Sequence, residues 1–439
     1  MSIKIVHVVN YFLPDYLAGT ENYVFNIASL QLKKGHQVFV VRPDYWGRED
    51  YIYDTVPVKY FAEEKKSATK SEIMGTKSPP GVLTFIELIK KINPSIVHFH
   101  EINGSNGITY FHIHAIYKLG IKQVFTAHLA TITCASGTLF YKNSKFCDGK
   151  LNLRKCTSCA LYNKVENNLL ANLVSLVSCT IFNINRRISK HLVTKNFSDF
   201  PFVIHNKDKQ LKRLAIELDC MIVLTDWFKK VLLLNNFPES KIALIKQGIN
   251  IGNLLEEEIN ILERQDRKIV FVGRITKVKG LHILIKALKN SKYPIQLDVY
   301  GNKEDANYFD ECFNEARNNN VDVEWKGVVE SSKIVKILKN YDALILPSYF
   351  SEMSPLVIQE AFLAGIPVIA SNVYGNVEQL REGENGLLFG FGNSASLKSA
   401  IELFYSDDYK SKWKIKYTPN TFENIVEQIE NIYMKAIFS

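Results

Sequence analysis

The sequence lacks any run of the roughly 18 to 20 apolar residues that a membrane-spanning helix needs, which argues against an integral membrane protein. No secretory leader is expected either: Met1-Ser-Ile-Lys-Ile-Val-His-Val-Val-Asn10 is short, carries Lys4 and runs straight into turn residues. A cytoplasmic protein is therefore expected. Cysteine is sparse, seven in 439 residues, and in a reducing compartment such thiols are free or bound to metal rather than paired. There is no internal repeat, no low-complexity tract and no arginine-rich tail, so nucleic acid is not an expected partner. Neither sign of charge dominates. Lys and Arg number 54 against 45 Asp and Glu, a net +9 that suits phosphate-rich ligands or an anionic membrane surface.

What is present is alternation. At 439 residues the chain suits two domains of about 200 residues each. Ile3 to Val9 reads as a buried strand, Thr20 to Lys34 as a helix stopped by Gly35, and Gln37 to Val41 as the next strand. Further strands are expected at 95–99, 122–125, 220–224 and 242–245. The polar stretch 250–267 reads as a linker, after which the pattern restarts with strands at 269–272, 295–300, 321–325, 343–346 and 367–370. The tail, 421–437, has the spacing of an amphipathic helix. The fold class is α/β, with two doubly wound sheets and a ligand cleft at the carboxyl ends of their strands.

The chemistry concentrates in the second half. In Phe271-Val-Gly-Arg-Ile-Thr-Lys-Val-Lys-Gly-Leu281 a strand ends, a basic loop follows and a helix begins near Gly280. Arg274 and Lys279 are then placed to hold a diphosphate and neutralise charge as it leaves; a solvated basic loop is the competing reading. In Ala343-Leu-Ile-Leu-Pro-Ser-Tyr-Phe-Ser-Glu352-Met-Ser-Pro-Leu-Val-Ile-Gln-Glu360, Pro355 suits the first helical position and Ser354 the N-cap. The free amides there favour anions or sugar hydroxyls. Glu352 precedes them, and Glu360 on the helix could accept hydrogen bonds from a ribose. Two unrelated surface glutamates are the alternative.

Gly-Arg-x-x-x-x-Lys-Gly, the two glutamates with seven residues between them, and Ala-Gly-Ile-Pro-Val-Ile-Ala-Ser371 together resemble glycosyltransferase family 4. Gly375-Asn-Val-Glu378 and Gly383-Glu-Asn-Gly-Leu-Leu-Phe389 fit as well, and the likeness runs from Ile3 to about Phe404. It implies retaining enzymes of the GT-B fold, two Rossmann-like domains facing across a cleft. By this resemblance Arg274 and Lys279 grip the diphosphate of a nucleotide-sugar donor. Glu352 and the backbone of Met353, Ser354, Pro355 and Leu356 hold the donor sugar, and Glu360 binds the ribose. No catalytic metal is expected, because the two cations serve at the diphosphate. The acceptor is expected to be a glycan or a lipid-linked acceptor in bacterial surface polysaccharide synthesis.

The first half would face the acceptor. Asp15-Tyr-Leu-Ala-Gly19-Thr-Glu resembles the family's glycine-rich loop, with Ala18 where a second glycine is usual. Gly19 is expected to take a positive φ and Thr20 to cap the helix. His98 and His100 share one side of a strand, so a metal pair is conceivable. The preferred reading is one packed histidine and one lining the cleft. His112 and His114 would point apart on a helix. His128 ends the strand Val124-Phe-Thr-Ala-His128, where the family has a histidine that contacts the donor sugar. No carboxylate stands out as a nucleophile, so the leaving phosphate would take the acceptor's proton while His128 supports the sugar.

Cys134, Cys147, Cys156 and Cys159 fall in one segment, the last two as Cys-Thr-Ser-Cys, a spacing that suits zinc. The segment resembles a cysteine-bearing insertion of some family members, about residues 130–165, where a structural zinc would pin the loop. Four unpaired thiols are the alternative. Cys179, Cys220 and Cys312 read as buried. Leu169, Leu170, Leu173, Val174, Leu176, Val177 and Ile181 crowd one helical stretch, with Asn172, Ser175 and Ser178 as a narrow polar stripe and Arg186, Arg187 and Lys190 following. This is either an interfacial helix on anionic lipid, making the protein peripheral on the inner face of the membrane, or a helix buried in the first domain.

The domain reading is thus residues 1–250 for the acceptor side, 251–415 for nucleotide-sugar binding, and 416–439 as a helix crossing back to the first domain. Two other functions share the nucleotide pocket. A nucleotide-sugar epimerase would need a proton-transfer pair that the sequence does not show, and a non-catalytic nucleotide-sugar-binding protein would keep the same four side chains.

Overall fold

The computed structural model of the chain describes residues 2–16, 19–64, 69–73, 75–102, 107–188, 199–249, 267–406, 413, 415 and 417–438. The linker expected at 250–267 lies outside these residues except for Arg267, as do Leu17 and Ala18 of the expected glycine-rich loop. The chain forms two compact units, Met1–Lys246 with Phe422–Ser439, and Gln247–Thr421.

The first unit runs β1 (Lys4–Val8), α1 (Gly19–Lys33), β2 (Gln37–Asp44), β3 (Tyr51–Tyr53), β4 (Val56–Ala62), α2 (Lys70–Ile73), α3 (Gly81–Ile92), β5 (Ile96–Phe99), α4 (Tyr110–Lys118) and β6 (Lys122–Ala127). It continues with the small hairpin β7 (Phe140–Tyr141) and β8 (Lys145–Phe146), then α5 (Leu153–Val165), α6 (Asn168–Ile188), α7 (Asp199–Glu217), β9 (Cys220–Val223), α8 (Asp226–Leu234) and β10 (Ile242–Leu244). The second unit runs β11 (Lys268–Val272), α9 (Leu281–Leu288), β12 (Gln296–Tyr300), α10 (Ala306–Asn318), β13 (Val323–Gly327), α11 (Ile334–Leu338), β14 (Ala343–Leu346), α12 (Leu356–Leu363), β15 (Val368–Ser371), α13 (Tyr374–Val377), β16 (Gly386–Phe389) and α14 (Ser394–Phe404). The chain ends in α15 (Phe422–Phe438), which belongs to the first unit.

The first sheet has eight strands in the order β10-β9-β6-β5-β1-β2-β4-β3, parallel except for the edge strand β3. Successive connections reverse direction between β1 and β5, which puts a topological switch point at their carboxyl ends. The six strands of the second sheet follow β13-β12-β11-β14-β15-β16, all parallel. Renumbered within the unit this is 3-2-1-4-5-6, the dinucleotide-binding order, with its switch point between β11 and β14.

Parallel strands covered on both faces must be apolar throughout, and β14 shows how the two faces divide. Ala343 and Ile345 join the core formed with α9, α10 and α14, whereas Leu344 and Leu346 join the core formed with α11 and α12. Truncating a side chain such as Leu344, fully buried, to alanine costs about 2–5 kcal/mol. In the first unit, α15 packs Ile425, Val426, Ile429 and Tyr433 into the same core as Val24 and Ile27 of α1.

Local expectations need two corrections. Gly19 opens α1 as a helical residue rather than taking a positive φ, and Thr20 follows inside the helix, so Thr20 does not cap it. Pro355, not Ser354, occupies the N-cap of α12, with φ −65° and ψ 118°, and Leu356 is the first helical residue. The fixed proline φ suits either position, and an extended ψ at Pro355 delays the helix by one residue.

Candidate active site

The loops leaving β11 and β14 open the crevice where a doubly wound sheet takes its ligand. After β11 the chain runs through a short 3-10 turn, Lys277–Lys279, to Gly280 in the left-handed conformation at φ 78°. A Cβ at Gly280 would overlap the Pro347 carbonyl oxygen, so only glycine lets α9 start this close to the end of β14. The Tyr349 amide donates to the Val278 carbonyl at 2.7 Å, tying the two loops together.

This approach brings Lys279 to Glu352. Lys279 Nζ lies 2.6 Å from Glu352 Oε1, and the Ser348 hydroxyl donates to the same oxygen at 2.7 Å. Both partners are largely covered, so the attraction is less screened than at a free surface. Glu352 Oε2 has no hydrogen-bond partner among the described residues. The Glu352 loop is itself held: the Ser371 hydroxyl donates to the Ser348 carbonyl at 2.7 Å, and Asn376 Nδ2 donates to the Ser371 carbonyl at 3.0 Å. A Cβ at Gly375 would overlap the Glu352 carbonyl oxygen. Ser348, Ser371 and Asn376 thus hold the Glu352 loop in place; Ser371 and Asn376 stand within the family-like motifs, whereas Ser348 carries no spacing signal.

Arg274 does not join this cluster. It pairs with Glu304 at 2.9 Å, both side chains near half exposed, so the two expected diphosphate cations stand in different environments. Glu360 lies on the second turn of α12 with no hydrogen bond to its carboxyl among the described residues. It keeps part of its surface at solvent, yet burial pushes its pKa up to about 7. No side chain caps α12, which leaves its first amides for a ligand.

In the first unit, both strand histidines are fully buried, so His100 packs inside rather than lining an opening. His7 and His98 are register partners across β1 and β5 and share a face. His98 Nδ1 meets the Tyr433 hydroxyl at 2.6 Å and its Nε2 the Thr126 hydroxyl at 2.7 Å. His7 Nε2 meets Gln31 Oε1 at 2.7 Å, His7 Nδ1 meets His100 Nε2 at 2.9 Å, and His100 Nδ1 meets His128 Nε2 at 3.2 Å. His7, His98 and His100 have ligand atoms within 4.8 Å of one another, a spacing that suits a metal. All six of their ring nitrogens are already hydrogen-bonded, which argues against one. Burial lowers the pKa of His7 to about 4 and of His128 to about 3, and holds His98 and His100 well below the usual range. His112 is buried at the start of α4, and His114 turns away to Glu217 at 2.9 Å.

Glu101, beyond β5, accepts from Asn10 Nδ2 at 3.2 Å, and burial raises its pKa against the hydrogen bonds from Asn10 and Thr20. A cavity of about 260 Å³ opens nearby, lined by Thr109, Ile132, Cys134, Asn206, Lys207 and Gln210. Lys207 donates to the Thr131 carbonyl, and burial lowers its pKa.

Burial pushes the Cys156 thiol up to about 11 and raises that of Cys159. Backbone amides of Lys142 and Asn152 reach the sulfurs of Cys159 and Cys156 at 3.3 and 3.5 Å. Among the described residues the histidine triad is the one group of three with ligand atoms within 4.8 Å, so a tetrathiolate site would require the cysteines to turn inward. Cys179 and Cys312 are buried; Cys220 is only partly so.

Helix α6 buries Ala171, Cys179 and Phe182 together with Ser175 and Ser178, and turns most of its leucines outward. Ser175 and Ser178 face inward, with the Ser175 hydroxyl donating to the Arg154 carbonyl at 3.0 Å, while Asn172 accepts from Ser158 at 2.7 Å. Leu169 is 76% exposed, Leu173 61% and Val177 57%. The helix thus packs within the first unit through one face, while Leu169, Leu173 and Val177 are not part of that buried face. Arg186 and Arg187 fall in its last turn, and Lys190 lies outside the described residues.

Comparison with known proteins places this geometry. Residues 17–155 match the family model described as Glycosyltransferase Family 4, and residues 255–421 match Glycosyl transferases group 1. The chain belongs to this glycosyltransferase family. The first matched stretch contains Gly19 and His128, and the second contains Arg274, Lys279, Glu352 and Glu360. A glycosyltransferase of Methanocaldococcus jannaschii is 28% identical over 221 residues, 46% of this chain and 56% of that protein. The capsular polysaccharide biosynthesis glycosyltransferase CapM of Staphylococcus aureus is 28% identical, covering 41% of this chain and 50% of that one. The chain thus spans about half the length of the curated relatives it matches. Among solved structures, Anabaena HepE in complex with UDP-glucose aligns with a TM-score of 0.61 at 14% identity, over 99% of this chain and 98% of that one. WaaG, a glycosyltransferase involved in lipopolysaccharide biosynthesis, aligns at 0.58 and 14%, over 99% and 98%. These likenesses establish a GT-B fold for this family member. No helix among the described residues is long and apolar enough to cross a membrane.

Proposed function

We propose that this protein is a retaining glycosyltransferase that moves a hexosyl or related group from a nucleotide-diphosphate sugar to a glycan or lipid-linked acceptor in bacterial surface polysaccharide synthesis. The observation that carries the reading is the Lys279–Glu352–Ser348 cluster at the switch point of the second sheet. A cation and a carboxylate held together there suit a ligand that is anionic at one end and hydroxylated at the other. On binding, Lys279 exchanges part of its contact with Glu352 for the diphosphate, and Arg274 turns to it from Glu304. Glu352 and the backbone from Met353 to Leu356 receive the sugar, and Glu360 accepts from the ribose. No divalent metal is required at the diphosphate.

In the transfer, the bond from the anomeric carbon to the diphosphate oxygen breaks. The acceptor oxygen bonds to that carbon on the same face, and the acceptor's proton passes to the departing diphosphate. His128, neutral at pH 7, supports the sugar by hydrogen bonding. His128→Ala should cut turnover sharply with the fold retained, and wild-type-like rates would remove it from the mechanism.

Helix α6 supplies the membrane contact of this reading: its outward leucines enter the headgroup boundary of an anionic leaflet, beside a lipid-linked acceptor. The cysteine segment is proposed to take a structural zinc through Cys134, Cys147, Cys156 and Cys159.

The deciding experiment incubates purified protein with a panel of nucleotide sugars and reads released nucleoside diphosphate and sugar. UDP-sugars come first, because HepE is described with UDP-glucose. Slow hydrolysis of one donor, abolished in Lys279→Ala, is the expected result. A donor that is bound or epimerised without hydrolysis would overturn the transferase reading.

A further inference from the structure

A buried line of hydrogen bonds ends at His128. It starts at Gln31 on α1, passes through His7 on β1 and His100 beyond β5, and reaches His128 beyond β6, over 2.7, 2.9 and 3.2 Å. Gln31, His7 and His100 are fully buried, and His128 nearly so, so no water network substitutes for these contacts. Every ring in the line is neutral at pH 7, and a neutral imidazole has one N–H and one bare nitrogen. The roles along the line are therefore linked.

With the Gln31 amide oriented as in the structure, Oε1 toward His7 and its NH2 buried without a hydrogen bond, the oxygen accepts, so His7 donates through Nε2 and is bare at Nδ1. His100 must then donate to it through Nε2 and be bare at Nδ1. His128 must in turn donate through Nε2, which leaves its Nδ1 with a lone pair. That Nδ1 has no partner among the described residues. Tyr23 packs edge-on against the His128 ring at 4.9 Å between centroids and fixes its plane. The separate pair of contacts from His98 to Tyr433 and Thr126 holds the neighbouring ring out of the line.

We infer that Gln31, His7 and His100 are positioning residues that fix His128 as the Nε2–H tautomer and so present its Nδ1 as a hydrogen-bond acceptor to a hydroxyl of the donor sugar. Only the last clause rests on the transferase reading; the tautomer is a property of the chain alone. A ring set this way discriminates for a sugar with a hydroxyl donor at that place and against one presenting only an acceptor. Gln31 is the direction-setting end. With an apolar side chain there, a buried His7 Nε2–H would lose its acceptor, and reversing all three rings removes that loss. His128 would then present an N–H instead.

The test is a two-bond ¹⁵N–¹H correlation spectrum of the full chain labelled in its 10 histidines, at pH 7, with His7, His100 and His128 assigned by single substitution to Gln. All three rings should be neutral with the proton on Nε2. A proton on Nδ1 of His128, or an imidazolium there, overturns the inference without any variant. In Gln31→Met the three rings should reverse, and kcat/KM for donor hydrolysis should fall by about tenfold, mostly in kcat, with the unfolding midpoint measured alongside. Unchanged tautomers in a folded Gln31→Met overturn the relay. Expected tautomers in a protein that hydrolyses no donor would leave the relay standing and count against the transferase reading.

Discussion

Lys279 and Glu352 are separated by 73 residues, yet their charged groups meet at 2.6 Å. The contact exists because Gly280 lets α9 begin against the carbonyl of Pro347, so two loops from adjacent strands share one small volume. Removing either partner leaves the other poorly compensated in a largely covered place.

Lys279→Ala and Glu352→Ala should each lower donor hydrolysis by roughly 10²–10³-fold, the usual size for losing a preorganised charge at a reacting centre. Lys279→Arg should restore little, because a planar guanidinium does not fit where a point charge is held between Glu352 and the Phe350 ring. Steady-state rates on the hydrolysed donor provide the check. Losses below about threefold would remove the pair from the donor site.

Glu360 makes a pH prediction. Its pKa is raised from 4.5 to about 7 by burial, so the folded state holds a proton there that the unfolded chain has released. Its contribution to stability is present below about pH 4.5 and is lost as pH rises through about 7. Glu360→Gln should flatten that part of the stability profile. A ribose hydroxyl donating to the carboxylate favours the ionised form, so nucleotide binding should release a proton below about pH 7 and weaken on acidification. Calorimetry in buffers of different ionisation enthalpy reads this directly. An unchanged proton count in Glu360→Gln would sink the assignment.

The alternation of apolar runs and helical spacing gave away both sheets, because strands buried on two faces have to be continuous in Val, Ile and Leu, as in Ala343–Leu346. The strands not foreseen are Tyr51–Tyr53 and Val56–Ala62, at one sheet edge and diluted by polar positions, the two-residue strands of the hairpin Phe140–Tyr141 and Lys145–Phe146, and Gly386–Phe389, an apolar run too short to stand out by periodicity. At the candidate site, spacing and family likeness single out Lys279, Glu352 and Glu360; of these the structure brings Lys279 and Glu352 together at 2.6 Å and gives the Glu360 carboxyl no partner among the described residues. Ser348 is not singled out, since a serine at a strand end looks like any turn residue. His7 and Gln31 were equally hidden, because their partnership depends on the register of β1 with β5 and on how α1 lies over that face. Arg274 lies in the loop after β11, and no spacing in the sequence indicates that Glu304 holds it there.

Helix α6 predicts vesicle binding. Leu169, Leu173 and Val177 make no core contribution that would be lost on replacement, being 76%, 61% and 57% exposed. A triple substitution to serine should leave the unfolding midpoint within about 1–2 °C and abolish flotation with anionic liposomes. Wild-type protein that fails to float with anionic vesicles would sink the membrane reading and turn attention to a protein partner for that face.

The cysteine segment gives the last test. A structural zinc holds four thiolates at about 2.3 Å, and its binding energy is folding energy for the loop it closes. Cys156, pushed up to about 11 by burial, is a poor thiolate without a metal, so binding should release protons. Purified protein should contain close to one equivalent of zinc, and Cys156→Ser with Cys159→Ser should lose it and become protease-sensitive between about residues 130 and 165. Less than about a tenth of an equivalent would overturn the metal and leave the segment held by what the structure shows: the amides of Lys142 and Asn152 on two sulfurs, and Asp148 paired with Lys155 at 2.6 Å. In that case chelators should not shift the unfolding midpoint, whereas the double serine variant should still lower it, because the two amide-to-sulfur contacts would be altered.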